Sequence, residues 1–124
     1  IYPDSHYGRD SLVGVALFLS HMAKGNLSCK ELRESYPSYF MSKNKIQLTP
    51  RIDVDTILEL MAEKYQNEDI STIDGVKVDF DTEWVHLRKS NTEPIIRIYT
   101  ESTSQENADN LAQRIISEIR EIIK

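Results

Sequence analysis

Residues 74–101 read DGVKVDFDTEWVHLRKSNTEPIIRIYTE, and this stretch decides the fold. Asp74-Gly75 is a strong signal for a tight turn between two strands. Apolar and charged residues then alternate from 76 to 80, the period-two pattern of a strand with one buried face. Two further apolar runs, 84–87 and 95–100, are separated by polar residues. The pattern predicts several strands joined by hairpins, and therefore a mainly antiparallel sheet.

Two amphipathic helices flank these strands. Asp53 is the predicted N-cap of the first, and Thr103 with Glu106 forms a predicted capping box for the second. Their apolar residues recur at helical spacing: Val54, Ile57, Leu58, Met61 and Tyr65 in one, and Ala108, Leu111, Ala112, Ile115, Ile116, Ile119, Ile122 and Ile123 in the other. With strands over 43–48 and 70–73, we expect an α+β fold with a mostly antiparallel sheet of four to five strands and both helices on one face.

The first 35 residues differ from the rest. A helix is predicted over 10–24, ending at Gly25, and its residues 12–19 are apolar nearly all the way round. Such a helix is normally buried on several sides, so part of its packing is expected to be missing. Ser28 and Glu31 predict a capping box for a short helix over 29–35. We place a boundary after it, which gives regions 1–35 and 36–124.

The chain opens Ile1-Tyr2-Pro3-Asp4, without Met. This start predicts a fragment of a longer protein. The 15 Lys and Arg residues against 20 Asp and Glu give a net charge of −5, which disfavours binding to nucleic acid or an anionic membrane. Cys29 is the single cysteine, residues 12–19 are too short to cross a bilayer, and no signal peptide is recognisable. We expect a cytoplasmic protein.

Familiar catalytic and metal-binding patterns are not evident in the sequence. His6, His21 and His86 are far apart and lack the spacing of zinc ligands. Asp53 and Asp55 fit ordinary helix capping. Without a nucleophile motif, a Walker-type loop or a dinucleotide fingerprint, we expect no catalytic residue and no metal site in this chain.

The polar segment 88–94 is the candidate binding site. It brings together two cations, two hydroxyls and an amide, namely Arg88, Lys89, Ser90, Asn91 and Thr92. The guanidinium of Arg88 matches two phosphate oxygens, whereas Lys89 should leave the strand on the opposite side. Asn91 tolerates a left-handed backbone, which could aim successive N–H groups at one anion. On pattern alone, a solvated hairpin loop without function is an equally good interpretation.

The run Arg-x-Ser-Asn-Thr-Glu-Pro at 88–94, followed by a strand carrying Arg97 and Glu101, resembles the phosphate-binding loop of the α-D-phosphohexomutases. This is the phosphomannomutase and phosphoglucomutase superfamily, where the loop belongs to the last of four domains. Residues 74–80 resemble the hairpin before that loop, and residues 1–24 resemble a segment of the third domain. The resemblance implies that 1–35 is the tail of the third domain, the helical remnant of a preceding α/β domain. It also implies that 36–124 is the fourth domain, with a fold like that of TATA-box-binding protein.

The resemblance also implies a function for the loop. Arg88, Ser90, Asn91 and Thr92 would hold the substrate phosphate that is not transferred, with Lys89 and Arg97 as auxiliaries. The family often has Gly where this chain has Asn91, and both suit a left-handed backbone.

For the parent enzyme, the resemblance implies an isomerase that moves phosphate between positions 1 and 6 of a hexose, using Mg²⁺ and a phosphoserine supplied by other domains. The fragment alone would be inactive, and its partners would be the hexose phosphate and those domains. The alternative is a free-standing anion-binding or interaction module without enzymatic activity. The apolar helix at 10–24 favours the fragment, because an independent module has no use for it.

Overall fold

The computed structural model describes residues 1–49 and 52–124, which divide into two compact units, 1–37 and 38–124. The first contains α1 (Ser11–Gly25) and α2 (Cys29–Ser35). The second contains β1 (Phe40–Gln47), α3 (Val54–Lys64), β2 (Asp69–Ser71), β3 (Val76–Asp79), β4 (Trp84–Lys89), β5 (Ile95–Ser102) and α4 (Gln105–Ile123). Assignment of residues 1–35 to a preceding domain stays a prediction.

The two helices of unit 1–37 have well-formed caps. The Asp10 carboxylate accepts hydrogen bonds from the backbone N–H groups of Leu12 and Val13 and begins α1. At the other end Asn26, not Gly25, adopts the left-handed conformation, with φ of 48°, so the predicted end is one residue early. Asparagine is one of the few side chains that enter this region readily. The Ser28–Glu31 capping box of α2 is confirmed.

No side chain of α1 is buried. Leu12 is 78% exposed, and even Phe18, with the largest apolar side chain of the helix, is 42% exposed. In α2, by contrast, Leu32 is buried. The apolar surface of α1 is therefore a feature of the structure as well as of the sequence.

Unit 38–124 is built on a five-stranded sheet in the order β1-β5-β4-β3-β2, with every neighbouring pair antiparallel. Both α3 and α4 contribute buried residues to the core that lies against one face of this sheet. The predicted α+β fold is confirmed. β1 begins at Phe40, three residues before the predicted start, because its pairing with β5 continues as far as Ser102.

The core residues come from alternate positions of the strands and from the inner faces of the two helices. The core consists of Ile46, Leu48, Ile57, Leu58, Met61, Val76, Val78, Val85, Leu87, Ile96, Ile98, Leu111, Ile115, Ile116 and Ile119. The helices are also joined at Glu118, whose carboxylate accepts a hydrogen bond from the Tyr65 hydroxyl at 2.9 Å and lies 3.2 Å from Lys64 Nζ.

Two local predictions concern the ends of elements. The tight turn at Asp74-Gly75 is confirmed: Gly75 has φ of +79°, and a Cβ there would collide with the Leu87 carbonyl oxygen. The capping box at Thr103 and Glu106 is wrong. Ser104 caps α4 instead, accepting a hydrogen bond from the Asn107 N–H at 3.1 Å, because β5 continues to Ser102 and shifts the helix start by one residue.

Candidate functional site

The side chains of Arg88 and Lys89 leave the end of β4 in different directions, as the alternation of a strand predicts. Arg88 Nε lies 2.9 Å from the carboxylate of Asp74, in the turn before β3. Lys89 Nζ donates to the carboxylate of Asp55, in the first turn of α3, at 2.5 Å. Arg88 thus pairs with a carboxylate at the hairpin turn, and Lys89 pairs with a carboxylate at the first turn of α3.

Ser90 closes the loop that follows. Its backbone N–H donates to the Ile95 carbonyl at 3.2 Å, and its side chain is buried. The Ser90 hydroxyl lies 3.5 Å from both the hydroxyl and the backbone nitrogen of Thr92. Asn91 and Thr92 themselves are exposed. The loop therefore presents two neighbouring hydroxyls, one anchored and one at the surface.

Asn91 does not adopt the left-handed backbone that its residue type would tolerate. Among the described non-glycine residues, only Asn26 has a positive φ. The turn is made by other contacts, including the short bond from the Ile95 N–H to the Glu93 carbonyl at 2.8 Å, so it needs no left-handed residue. An anion here would be bound mainly by side chains, and less by successive backbone N–H groups that point to one site.

Arg97 lies directly opposite Arg88 in the register of β4 and β5. Like charges placed opposite one another destabilise a sheet, and an anion between them relieves the repulsion. Within the described ranges, no ion pair involves Arg97. The register thus places Arg88 and Arg97 opposite one another on neighbouring strands. Arg88 also pairs with Asp74, and Lys89 pairs with Asp55 on α3.

An open cavity of about 450 Å³ borders the loop, but its lining does not suit an anion. Three carboxylates, those of Asp55, Glu59 and Asp74, line it together with the single ammonium of Lys89. The hydrogen bond to Asp55 raises the pKa of Lys89, so this cation stays protonated and paired. Arg88 and Arg97 offer a phosphate more positive charge than the lining of this cavity does.

Sequence reasoning missed the roles of both carboxylates beside the cations. The local sequence indicates only a turn at Asp74 and only a helix start at Asp55. A signal for Asp74 was available, because a tight turn before β3 brings its residues next to the end of the paired strand β4. The contact of Asp55 with Lys89 spans 34 residues, and no local pattern announces it.

Two of the three histidines, His6 and His86, contact oxygen atoms of aspartates. His86 lies on β4, where its Nε2 is 2.6 Å from the Asp74 carbonyl, and His6 contacts Asp10 at 2.9 Å. Within residues 1–49 and 52–124, no three His, Cys, Asp or Glu side chains are grouped to hold a metal ion. Over the same ranges, none of the helices combines the length and the apolar character needed to cross a membrane.

The family model described as "Phosphoglucomutase/phosphomannomutase, C-terminal domain" matches residues 44–118. The chain belongs to the phosphoglucomutase/phosphomannomutase family, as its resemblance predicted.

Curated relatives match along the whole chain. It is 36% identical to the phosphoglucosamine/phosphogalactosamine mutase of Sulfurisphaera tokodaii and 35% identical to the phosphoglucomutase/phosphomannomutase of Thermococcus kodakarensis. A probable phosphoglucosamine mutase of Methanopyrus kandleri is 29% identical. In each case the match covers 100% of this chain but only 27% or 28% of the relative, so the chain spans about a quarter of their length.

Proposed function

We propose that this chain is the C-terminal part of a phosphohexomutase, an isomerase that moves a phosphoryl group between positions 1 and 6 of a hexose. Its loop, with Arg88, Ser90, Asn91 and Thr92, would hold the phosphate that is not being transferred. Arg97 would assist from β5, and Lys89 would contribute only through its charge. The names of the relatives, which are all sugar-phosphate mutases, support the substrate class.

The observation that carries the proposal is the pair of facing residues Arg88 and Arg97 on neighbouring strands, together with the hydroxyls of Ser90 and Thr92 in the loop that joins those strands. A guanidinium presents paired donors that match phosphate oxygens, and hydroxyls supply further donors to the same group. Binding a phosphate far from the reacting hydroxyl orients the sugar, so that binding energy made here lowers the barrier at the other end.

The remaining chemistry would come from other parts of the parent enzyme. The described residues do not group into a metal site, so we derive no step through Mg²⁺ in this chain. The need for Mg²⁺ and for a phosphoserine outside this chain, and a cytoplasmic location, stay predictions.

The proposal is tested by comparing the complete protein with the chain alone. In a coupled assay, the complete protein should convert a hexose 1-phosphate into the 6-phosphate, whereas the chain should show no turnover. The Arg88→Ala chain, purified in parallel, reveals any contaminating host mutase. Turnover by the chain above that background, or no turnover by the complete protein with glucose, mannose or glucosamine phosphates, would contradict the proposal.

A further inference from the structure

Asp74 is absent from the phosphate site proposed above, yet its carboxylate makes the ion pair of Arg88, at 2.9 Å from Nε. The pairing of Val76 with Leu87 brings the turn that precedes β3 to the end of β4. The contact therefore follows from the register of the hairpin.

The backbone of Asp74 is held in place independently of that ion pair. Gly75 adopts φ of +79°, in a position where the Leu87 carbonyl leaves no room for a Cβ. On the same side, His86 Nε2 lies 2.6 Å from the Asp74 carbonyl. Arginine is a long side chain with much rotamer freedom to lose. The short Asp74 side chain, on a fixed turn, therefore restrains the long side chain of Arg88.

The ion pair is too exposed to matter much for folding. The side chains of Arg88 and Asp74 are 48% and 59% exposed, and ion pairs of this kind contribute little to stability. The ion pair joins Nε of the guanidinium to the Asp74 carboxylate, as a contact between opposite charges. The two Nη groups carry four of the five guanidinium N–H donors, and the contact with Asp74 does not depend on them.

We propose that Asp74 is a positioning residue, which holds the guanidinium of Arg88 through Nε so that its Nη groups are ready to bind phosphate at the loop. The inference rests on the phosphate-binding function proposed above. A side chain that is already ordered loses less conformational entropy when its ligand binds, so the benefit appears as affinity.

The opposite interpretation is that Asp74 competes with phosphate for Arg88. The two differ in the sign of one mutation. Asp74→Asn removes the charge but keeps a favourable Asn-Gly turn and the backbone carbonyl that His86 contacts. Positioning predicts weaker phosphate binding by about fivefold, the order expected for one side chain that is no longer held. Competition predicts tighter binding.

The test is a titration of the 124-residue chain with inorganic phosphate, followed by NMR at the Arg88 Nε–H and the backbone amides of 88–92. Asp74→Asn should change the Arg88 Nε–H signal before phosphate is added, because the guanidinium loses its ion pair, and should then bind phosphate about fivefold more weakly. Asp74→Glu should recover part of the affinity. Asp55→Asn is the matched control, since it changes the net charge equally but at the partner of Lys89.

The contradicting outcomes fall into two groups, one for the positioning role of Asp74 and one for the proposed function. Equal or tighter binding by Asp74→Asn, equal weakening by Asp55→Asn, or a clear loss of thermal stability in Asp74→Asn would overturn the positioning role. If the wild-type signals at 88–92 do not respond to phosphate at all, the proposed function itself fails, whatever Asp74 does.

Discussion

Along β5, successive side chains point to alternate faces of the sheet. Ile96 and Ile98 are completely buried beneath the helices, whereas Arg97 between them is exposed on the other face. The same alternation at the end of β4 sends Lys89 towards Asp55 on α3 and Arg88 towards Asp74 in the hairpin turn. Two cations adjacent in the sequence therefore have different surroundings.

The comparison of the two faces separates stability from binding. The helix-covered face contains the apolar core, which supplies most of the free energy of folding. The open face contributes charged groups whose exposed ion pairs add little to stability. Substitutions on the two faces should therefore change different measured quantities.

The largest expected effect is on the covered face. Ile98→Ala removes a fully buried side chain and should lower the free energy of unfolding by about 3 kcal/mol. Urea unfolding followed by the fluorescence of Trp84, the single tryptophan, reports only on unit 38–124. Met41→Ala, at a side chain that is 41% exposed, is the control and should cost much less. Equal losses would mean that the two faces do not differ in the way described.

The next effect is on the open face and should appear in kinetics instead of stability. In the complete protein, Arg88→Ala should lower kcat/KM by on the order of a hundredfold, equivalent to about 2.7 kcal/mol. Lys89→Ala should cost several-fold at most, because Lys89 is engaged with Asp55. Arg88→Lys should restore only part of the activity, since it returns the charge without the planar fork. Full rescue by lysine would show that charge alone suffices.

A smaller effect concerns Tyr65, which joins the two helices through Glu118. Burial, and then the neighbouring Glu118, raise the pKa of Tyr65 to about 12, above its ordinary value of 10. The folded protein thus holds the phenol proton more tightly than the unfolded chain does. This contribution is complete below pH 10 and is lost as the pH rises towards 12.

Tyr65→Phe removes that dependence and should cost about 1 kcal/mol near neutral pH through the lost hydrogen bond. Urea unfolding of both proteins across the alkaline range should show the wild type losing stability more steeply. Parallel pH profiles would show that Tyr65 has no special protonation behaviour in the folded state.

Most of the fold could be predicted from the sequence, because period-two and helical patterns are local. The failures lie where a local signal competed with distant pairing. Thr103 and Glu106 have the form of a capping box, but the extended pairing of β5 moved the cap to Ser104. At the site, the cations could be chosen by residue type. Their carboxylate partners could not, since Asp55 and Lys89 meet only through the packing of α3.

We propose above all that Arg88, on the open face, binds phosphate and that Lys89 contributes only through its charge. The most direct measurement is a titration of the chain with inorganic phosphate at constant ionic strength, comparing wild type, Arg88→Ala and Lys89→Ala by the amide signals of 88–92. We predict shifts that saturate with phosphate in the wild type and similar shifts in Lys89→Ala. In Arg88→Ala we predict no shifts that saturate. Equal losses in both variants, or unchanged binding in Arg88→Ala, would contradict the account.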